Sequence, residues 1–163
     1  MRLVLHDLET DDYRTMFPDH NDDTRVISKG GRIRCCKGCF GCWTGTPGRC
    51  VMHDEYSHMG ELLAKSDVVL IISKCCYGCY SPFIKNLLDR SIPYLHPYFV
   101  IKNGEMHHKK RYNHQFCLKV WFYGEEIDEA DKRTAQKLVK ANAENLYCSE
   151  VQIRFMETAG LSG

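Results

Sequence analysis

The 163-residue chain has no apolar run approaching the roughly 18 residues a membrane-spanning helix needs, so a membrane protein is not expected. Its N-terminal residues, Met1-Arg2-Leu3-Val4-Leu5-His6-Asp7, meet an acidic side chain too early for a secretory leader, and a cytoplasmic protein is expected. It lacks a charge excess: 22 Lys and Arg against 21 Asp and Glu leave a formal net charge of +1. Without a basic stripe interleaved with aromatics, nucleic-acid binding is disfavoured. Internal repeats, low-complexity tracts and linkers are also missing. Together with 44% apolar and 26% charged residues, this predicts one globular domain over residues 1–163.

Cysteine, in contrast, is abundant, with ten residues. In a reducing compartment these are not expected to be disulfide staples, and clustered thiols there point to metal binding or redox chemistry. Four of them, Cys36, Cys39, Cys42 and Cys50, follow a C-x2-C-x2-C-x7-C pattern, with Cys35 alongside and Gly38, Gly41, Gly45 and Gly48 interspersed. Glycines let a backbone curl tightly enough for three thiols at this spacing to converge on one point, as in loops that hold iron–sulfur clusters. The same thiols can equally be small packing residues. Zinc usually draws on two separated pairs, which this run does not offer. A redox-active thiol pair would need a depressed pKa. Cys117 and Cys148 lie inside apolar stretches and are expected in the core.

Strand and helix patterns alternate along the chain. Strands are predicted at Leu3 to Asp7, Thr24 to Ser28, Asp67 to Ser73, Phe116 to Phe122 and Val151 to Phe155; the continuous apolar run Val68 to Ile72 reads as a strand buried on both faces of a parallel sheet. Asp54 reads as the N-cap of a helix carrying Tyr56, Met59 and Leu63. Ser81-Pro82 supplies an N-cap and a first-turn proline for the helix bearing Ile84, Leu87 and Leu88. Asn103-Gly104 reads as the turn of a hairpin from Phe99 to His107. Asp128 to Leu146 reads as an amphipathic helix with Ala135, Leu138, Val139, Asn142 and Leu146 in one stripe. Parallel strands joined by crossovers predict a doubly wound α/β sheet with its ligand site beyond the carboxyl ends of the strands. His107-His108, followed by Lys109, Lys110 and Arg111, reads as a solvated loop, and Asp89-Arg90 as a helix-end salt bridge or an oligomer contact.

Two stretches carry a resemblance. Cys36-Lys37-Gly38-Cys39-Phe40-Gly41-Cys42-Trp43, continuing Thr46-Pro47-Gly48-Arg49-Cys50-Val51 and His53-Asp54, resembles a loop of the flavodoxin-like NAD(P)H-dependent oxidoreductases, the group that includes FMN reductases and iron–sulfur flavoproteins. Tyr77-Gly78 followed by Ser81-Pro82-Phe83-Ile84-Lys85-Asn86-Leu87-Leu88-Asp89-Arg90 resembles the same family's flavin loop and the helix after it. The resemblance implies a five-stranded sheet of order 2-1-3-4-5. It implies FMN held by the loop Ser73, Lys74, Cys75, Cys76, Tyr77 and Gly78 and by Tyr123 and Gly124, with Tyr77 able to stack on the ring. It also implies NAD(P)H as the electron source, a small-molecule or redox-protein acceptor, and a homodimer or larger assembly. The iron–sulfur branch implies a 4Fe–4S cluster on Cys36, Cys39, Cys42 and Cys50.

The first loop departs from that pattern. Where the family carries a glycine- or hydroxyl-rich phosphate cradle, this chain reads His6-Asp7-Leu8-Glu9-Thr10-Asp11-Asp12. Four carboxyl groups there oppose a phosphate, and the spacing to the second strand leaves a first helix of at most about two turns. Lys74 and Cys76 replace the family's proline and tyrosine, and Tyr123-Gly124-Glu125-Glu126 is poorer in glycine. Three readings follow: an FMN-dependent oxidoreductase, an iron–sulfur or flavin electron carrier, and a flavodoxin-shaped protein that has lost its cofactor and acts through its interface or thiols. In the first, Arg14 or a partner subunit would supply positive charge.

Overall fold

The computed structural model describes residues 1–18, 22–30 and 33–157. Five strands form a parallel sheet: β1 (Arg2–His6), β2 (Thr24–Ser28), β3 (Val68–Lys74), β6 (Cys117–Gly124) and β7 (Glu150–Glu157). Their spatial order is β2-β1-β3-β6-β7, with every pairing parallel. Numbered among themselves, these strands run 2-1-3-4-5, the flavodoxin-like order expected from the sequence. Beta-branched and leucine-rich runs make β1 and β3 apolar on both sides, so each face must be covered by helices.

One face packs against α3 (Met59–Ala64), α4 (Pro82–Arg90) and α5 (Glu129–Asn145), which bury Met59, Leu63, Ile84, Leu87, Ala135 and Val139 against Leu3, Leu5, Val69, Ile71, Val120 and Phe122. The other face carries α1 (Thr10–Met16), whose Tyr13 joins Val4, Leu8, Leu70 and Ile72. At seven residues, α1 has the two turns the short crossover allows. Local capping sets the long helices. Ser81 Oγ accepts the Ile84 amide 3.5 Å away, and Asp128 Oδ1 accepts the Asp131 amide at 2.7 Å. Among the described residues no helix is long and apolar enough to cross a membrane.

A separate antiparallel hairpin joins β4 (Leu95–Lys102) to β5 (Glu105–Lys110). Its turn is Asn103-Gly104, both at positive φ (53° and 83°), as the dipeptide predicts. The strands run further than the expected Phe99 to His107, so His107 and His108 lie in β5 rather than in a solvated loop, and His107 is buried.

Two further expectations are corrected. Asp54 does not cap a helix: its Oδ1 accepts the Tyr56 amide in a local turn, and α3 begins later, after His58. Asp89 and Arg90 do each form a salt bridge at the C-terminal end of α4, though not with each other. Lys85 takes Asp89, whereas Arg90 turns inward to Asp54. Of the two cysteines expected in the core, Cys148 packs at its edge, but Cys117 is only half-buried, its thiol 4.0 Å from Glu150.

Candidate functional site

Two concave sites lie at opposite ends of α4, a nine-residue helix that separates them by about 12 Å. At its N-terminal end, beyond the carboxyl ends of β1, β3 and β6, is a cleft of about 460 Å³ lined by Asp7, Glu9, Asp12, Lys29, Lys74, Cys76, Ser81, Pro82, Phe83 and Tyr123. The strand order reverses between β1 and β3, so this is the switch point where a doubly wound sheet opens a crevice.

The second loop forms one side of this cleft. It leaves β3 at Lys74 and turns back where the backbones of Cys76 and Cys79, both free thiols, exchange two hydrogen bonds of 2.9 Å; the tip between them is Tyr77-Gly78, both at positive φ (53° and 72°). Gly78 is required there: a Cβ would sit 2.8 Å from the Asp131 carbonyl oxygen on α5. That packing fixes the loop and leaves Tyr77 projecting, 94% exposed. Ser73 is fully buried; its hydroxyl accepts the Ser81 amide at 2.9 Å and ties the start of the loop to the start of α4. Of the residues expected to hold a flavin, Lys74, Cys76 and Tyr123 line the cleft. Cys75 is half-buried, with its amide donated to Tyr123, and Gly124 is buried.

The first loop closes the other side, and it is unlike a phosphate cradle. The Asp7 side chain is 8% exposed and accepts the Lys74 amide with both oxygens, at 3.1 and 3.2 Å. It thereby takes the N–H at which the second loop begins. Glu9 and Asp12 face the same space. Burial first, then the carboxyl groups of Asp7, Asp12 and Glu9, pushes the Tyr123 phenol well above its ordinary pKa. His6 brings no positive charge: burial lowers its pKa to about 4, and its ring stacks flat on Tyr13 at 4.1 Å. Arg14 pairs with Asp11 instead of lining the cleft. The cations that do line it are Lys74 and Lys29; Lys29, at the end of β2, escaped sequence reasoning because nothing local marks it. The loops and crevice fit a flat polar ring, but the β1–α1 loop does not fit a phosphate.

At the C-terminal end of α4 is a cavity of about 360 Å³. Cys36, Cys39, Cys42 and Cys50 all line it, with Phe40, Leu88, Arg90, Ile92 and Pro93. Gly38 and Phe40, at φ 62° and 55°, curl the loop into a single helical turn, α2 (Gly41–Thr44), that buries Cys42. Trp43 anchors the turn. It donates to the Leu95 carbonyl at 3.0 Å and packs on His108, which also contacts Phe99, so the loop rests on the hairpin.

Arg90, 1% exposed, forms the floor. Its two terminal nitrogens donate to the Asp54 carboxyl group at 2.9 and 2.7 Å, and one of them also donates to the Arg34 carbonyl just before the cysteines. Asp54 holds the guanidinium firmly charged, against burial and with a smaller contribution from the nearby Cys50. Arg90 Nε is buried without a hydrogen-bond partner. A buried donor beside four thiols fits an acceptor atom in the cavity, such as the sulfur of an iron–sulfur cluster.

The thiols are not gathered as a single tetrahedral ion would gather them. Among the described residues no three cysteine sulfurs lie within 4.8 Å of one another. A four-iron core places its thiolates further apart than one ion does. Burial, followed by Cys50, Cys36 and Cys39, raises the Cys42 pKa, and burial also raises those of Cys75 and Cys76. None of these three has the depressed pKa that an activated redox thiol needs.

No protein-family model matches the chain. Over 72 residues it is 32% identical to an iron–sulfur flavoprotein of Archaeoglobus fulgidus, a match covering 44% of this chain and 32% of the relative. The chain thus matches about a third of that relative's length. Among solved structures, it superposes on an FMN-dependent NADH-azoreductase from Bacillus anthracis, itself in complex with FMN, with a TM-score of 0.57 at 10% identity, over 98% of this chain and 88% of that one. The azoreductase AzrA gives 0.59 at 8% identity, over 96% and 86%. Identities this low speak for the fold. The chain therefore has the flavodoxin-like fold of FMN-dependent azoreductases and, over part of its length, resembles an iron–sulfur flavoprotein.

Proposed function

We propose that the protein is a flavin-dependent oxidoreductase that takes reducing equivalents from NAD(P)H and passes them to a small acceptor. The observation that carries this reading is the cleft at the β1/β3 switch point, walled by Ser81, Cys76, Lys74 and Tyr123. When bound there, FMN would supply hydride and electron chemistry, and the protein would position and tune the ring. Lys74, Cys76 and Tyr123, which line the cleft, would meet it directly; Ser73 and Gly78 would instead hold the second loop in place, Ser73 on the Ser81 amide and Gly78 against α5, with Cys75 half-buried and Gly124 buried behind it. Lys29 and Lys74 are the cations available to its phosphate, displaced from the acidic first loop.

Tyr77 is the aromatic free to cover the ring, because it projects from a turn that Gly78 holds against α5. Titration with FMN, read by quenching of flavin fluorescence, tests this role. Tyr77→Ala should weaken binding about tenfold, the usual size of one lost aromatic stacking contact. Unchanged affinity would remove Tyr77 from the site.

A second reading is favoured by the cavity that Cys36, Cys39, Cys42 and Cys50 share with the orphaned Arg90 Nε. On that reading a 4Fe–4S cluster sits at one end of α4 and the flavin at the other, and the protein carries electrons between them. The hairpin supports an assembly of two or more chains: Tyr98, Phe99, Ile101 and Met106 are all more than 60% exposed on it.

A further inference from the structure

We infer that Glu105, His107 and Glu144 form a binding site for one divalent transition-metal cation, distinct from both the cleft and the cysteine cavity. The side chains of these three residues each bring a ligand atom to within 4.8 Å of the others. Glu105 and His107 stand two apart on β5 and so share a face of that strand. Glu144 comes from the last turn of α5.

His107 distinguishes this group from an ordinary patch of surface carboxylates. It is 7% exposed, and its Nδ1 lies 2.9 Å from the Asn145 side-chain oxygen. That oxygen only accepts, so Nδ1 is the donor in this pair, and Nε2 is the ring atom left to meet a metal. Nε2 is buried with no hydrogen-bond partner. It lies 3.7 Å from Glu105 Oε2, too far for a hydrogen bond. A histidine whose outer nitrogen is held by an amide oxygen, and whose inner nitrogen is bare beside two carboxyl groups, has the arrangement of a metal ligand with its tautomer fixed from behind.

Ligand atoms around a tetrahedral zinc ion sit about 3.4 Å apart, so small rotations of Glu105 and Glu144 would close the site. One nitrogen and two carboxylate oxygens suit Zn²⁺ or Mn²⁺ and leave a position for water. The competing charge is Lys102, whose Nζ is 3.7 Å from Glu144 Oε1; Asn103 donates to the same oxygen at 3.2 Å. Both of these contacts fall on Oε1, and among the described residues no hydrogen bond or ion pair engages Glu144 Oε2. A bound ion would join the hairpin to the end of α5, stiffening a two-stranded element that is marginal on its own.

The test is a titration of the full chain with Zn²⁺, read at the His107 ring by two-dimensional ¹⁵N NMR of the histidine side chains. This reading does not depend on flavin and is blind to zinc taken up by the cysteines. The His107 Nε2 resonance should shift as Zn²⁺ is added. Glu105→Gln alters a carboxyl that is 76% exposed, so the fold should survive; it should weaken binding at His107 at least about tenfold. Lys102→Met, which removes the competing cation, should tighten it. A His107 Nε2 signal unmoved by excess Zn²⁺, or Glu105→Gln binding as tightly as the parent, would overturn the assignment.

Discussion

Asp54→Asn is expected to destabilise the protein by about 3 kcal/mol, the cost of leaving a buried charge without its partner. The Arg90 side chain is fully buried and Asp54 nearly so, and two hydrogen bonds join them. The asparagine can accept but brings no charge, while the guanidinium cannot shed its proton to escape. Urea denaturation checks this: the midpoint should fall at unchanged m-value.

The pH dependence has a definite sign. Arg90 first, against burial, holds the Asp54 carboxyl below the usual carboxylate range. A depressed acid contributes stability that is present above its unfolded pKa of about 3.9 and is lost as pH falls through the lower folded value. The gap between parent and variant should therefore be full at neutral pH and shrink below about pH 4. Because Arg90 also holds the Arg34 carbonyl, the variant should loosen the cysteine loop as well. A loss under 1 kcal/mol, or a gap that does not shrink in acid, would show that the pair does not hold this end of the molecule.

Replacing Glu9 and Asp12 together with glutamine and asparagine is expected to tighten FMN binding by about tenfold to thirtyfold at low salt. Each carboxylate near a phosphate in water-exposed surroundings costs on the order of 1 kcal/mol, and these two face the cleft from the loop and helix that should cradle it. The gain should shrink as ionic strength rises, since the interaction is screened over about 10 Å at 0.1 M salt. Asp7 is left intact because its carboxyl group holds the Lys74 amide. Fluorescence titration across a salt series measures the effect. Affinity that is unchanged at every salt concentration would place the phosphate away from this loop.

How legible each element was in the sequence depended on how local its cause is. β2 was readable to the residue, because a short run rich in β-branched residues, Thr24, Val26 and Ile27, is bounded by polar ones. The start of α4 was equally plain from Ser81-Pro82, and the hairpin turn from Asn103-Gly104. The two-turn α1 followed from chain length alone. Asp54 was misread because an aspartate closing a two-residue turn leaves the same mark as one capping a helix, and its true partner, Arg90, lies 36 residues away. His107 was misread because the polar and charged residues that follow it, His108 to Arg111, read as solvated; docking on the end of α5 buries it.

The site divided in the same way. The cysteine loop was visible as a motif, but the buried guanidinium beneath it was not. The acidic first loop was visible as composition, whereas Asp7 reaching across to the second loop depends on the sheet register that brings β1 beside β3.

The visible absorption spectrum of the protein, purified without oxygen and reconstituted with FMN, iron and sulfide, tests the central claim most directly. The account predicts the two absorption maxima of a protein-bound flavin, lost on addition of NAD(P)H. A broad brown shoulder, with iron and sulfide retained and lost in Cys39→Ser, would place a cluster in the four-cysteine cavity as well. A protein that stays colourless and binds no added FMN would contradict the flavoenzyme reading and leave a flavodoxin-shaped protein acting through its surfaces and thiols.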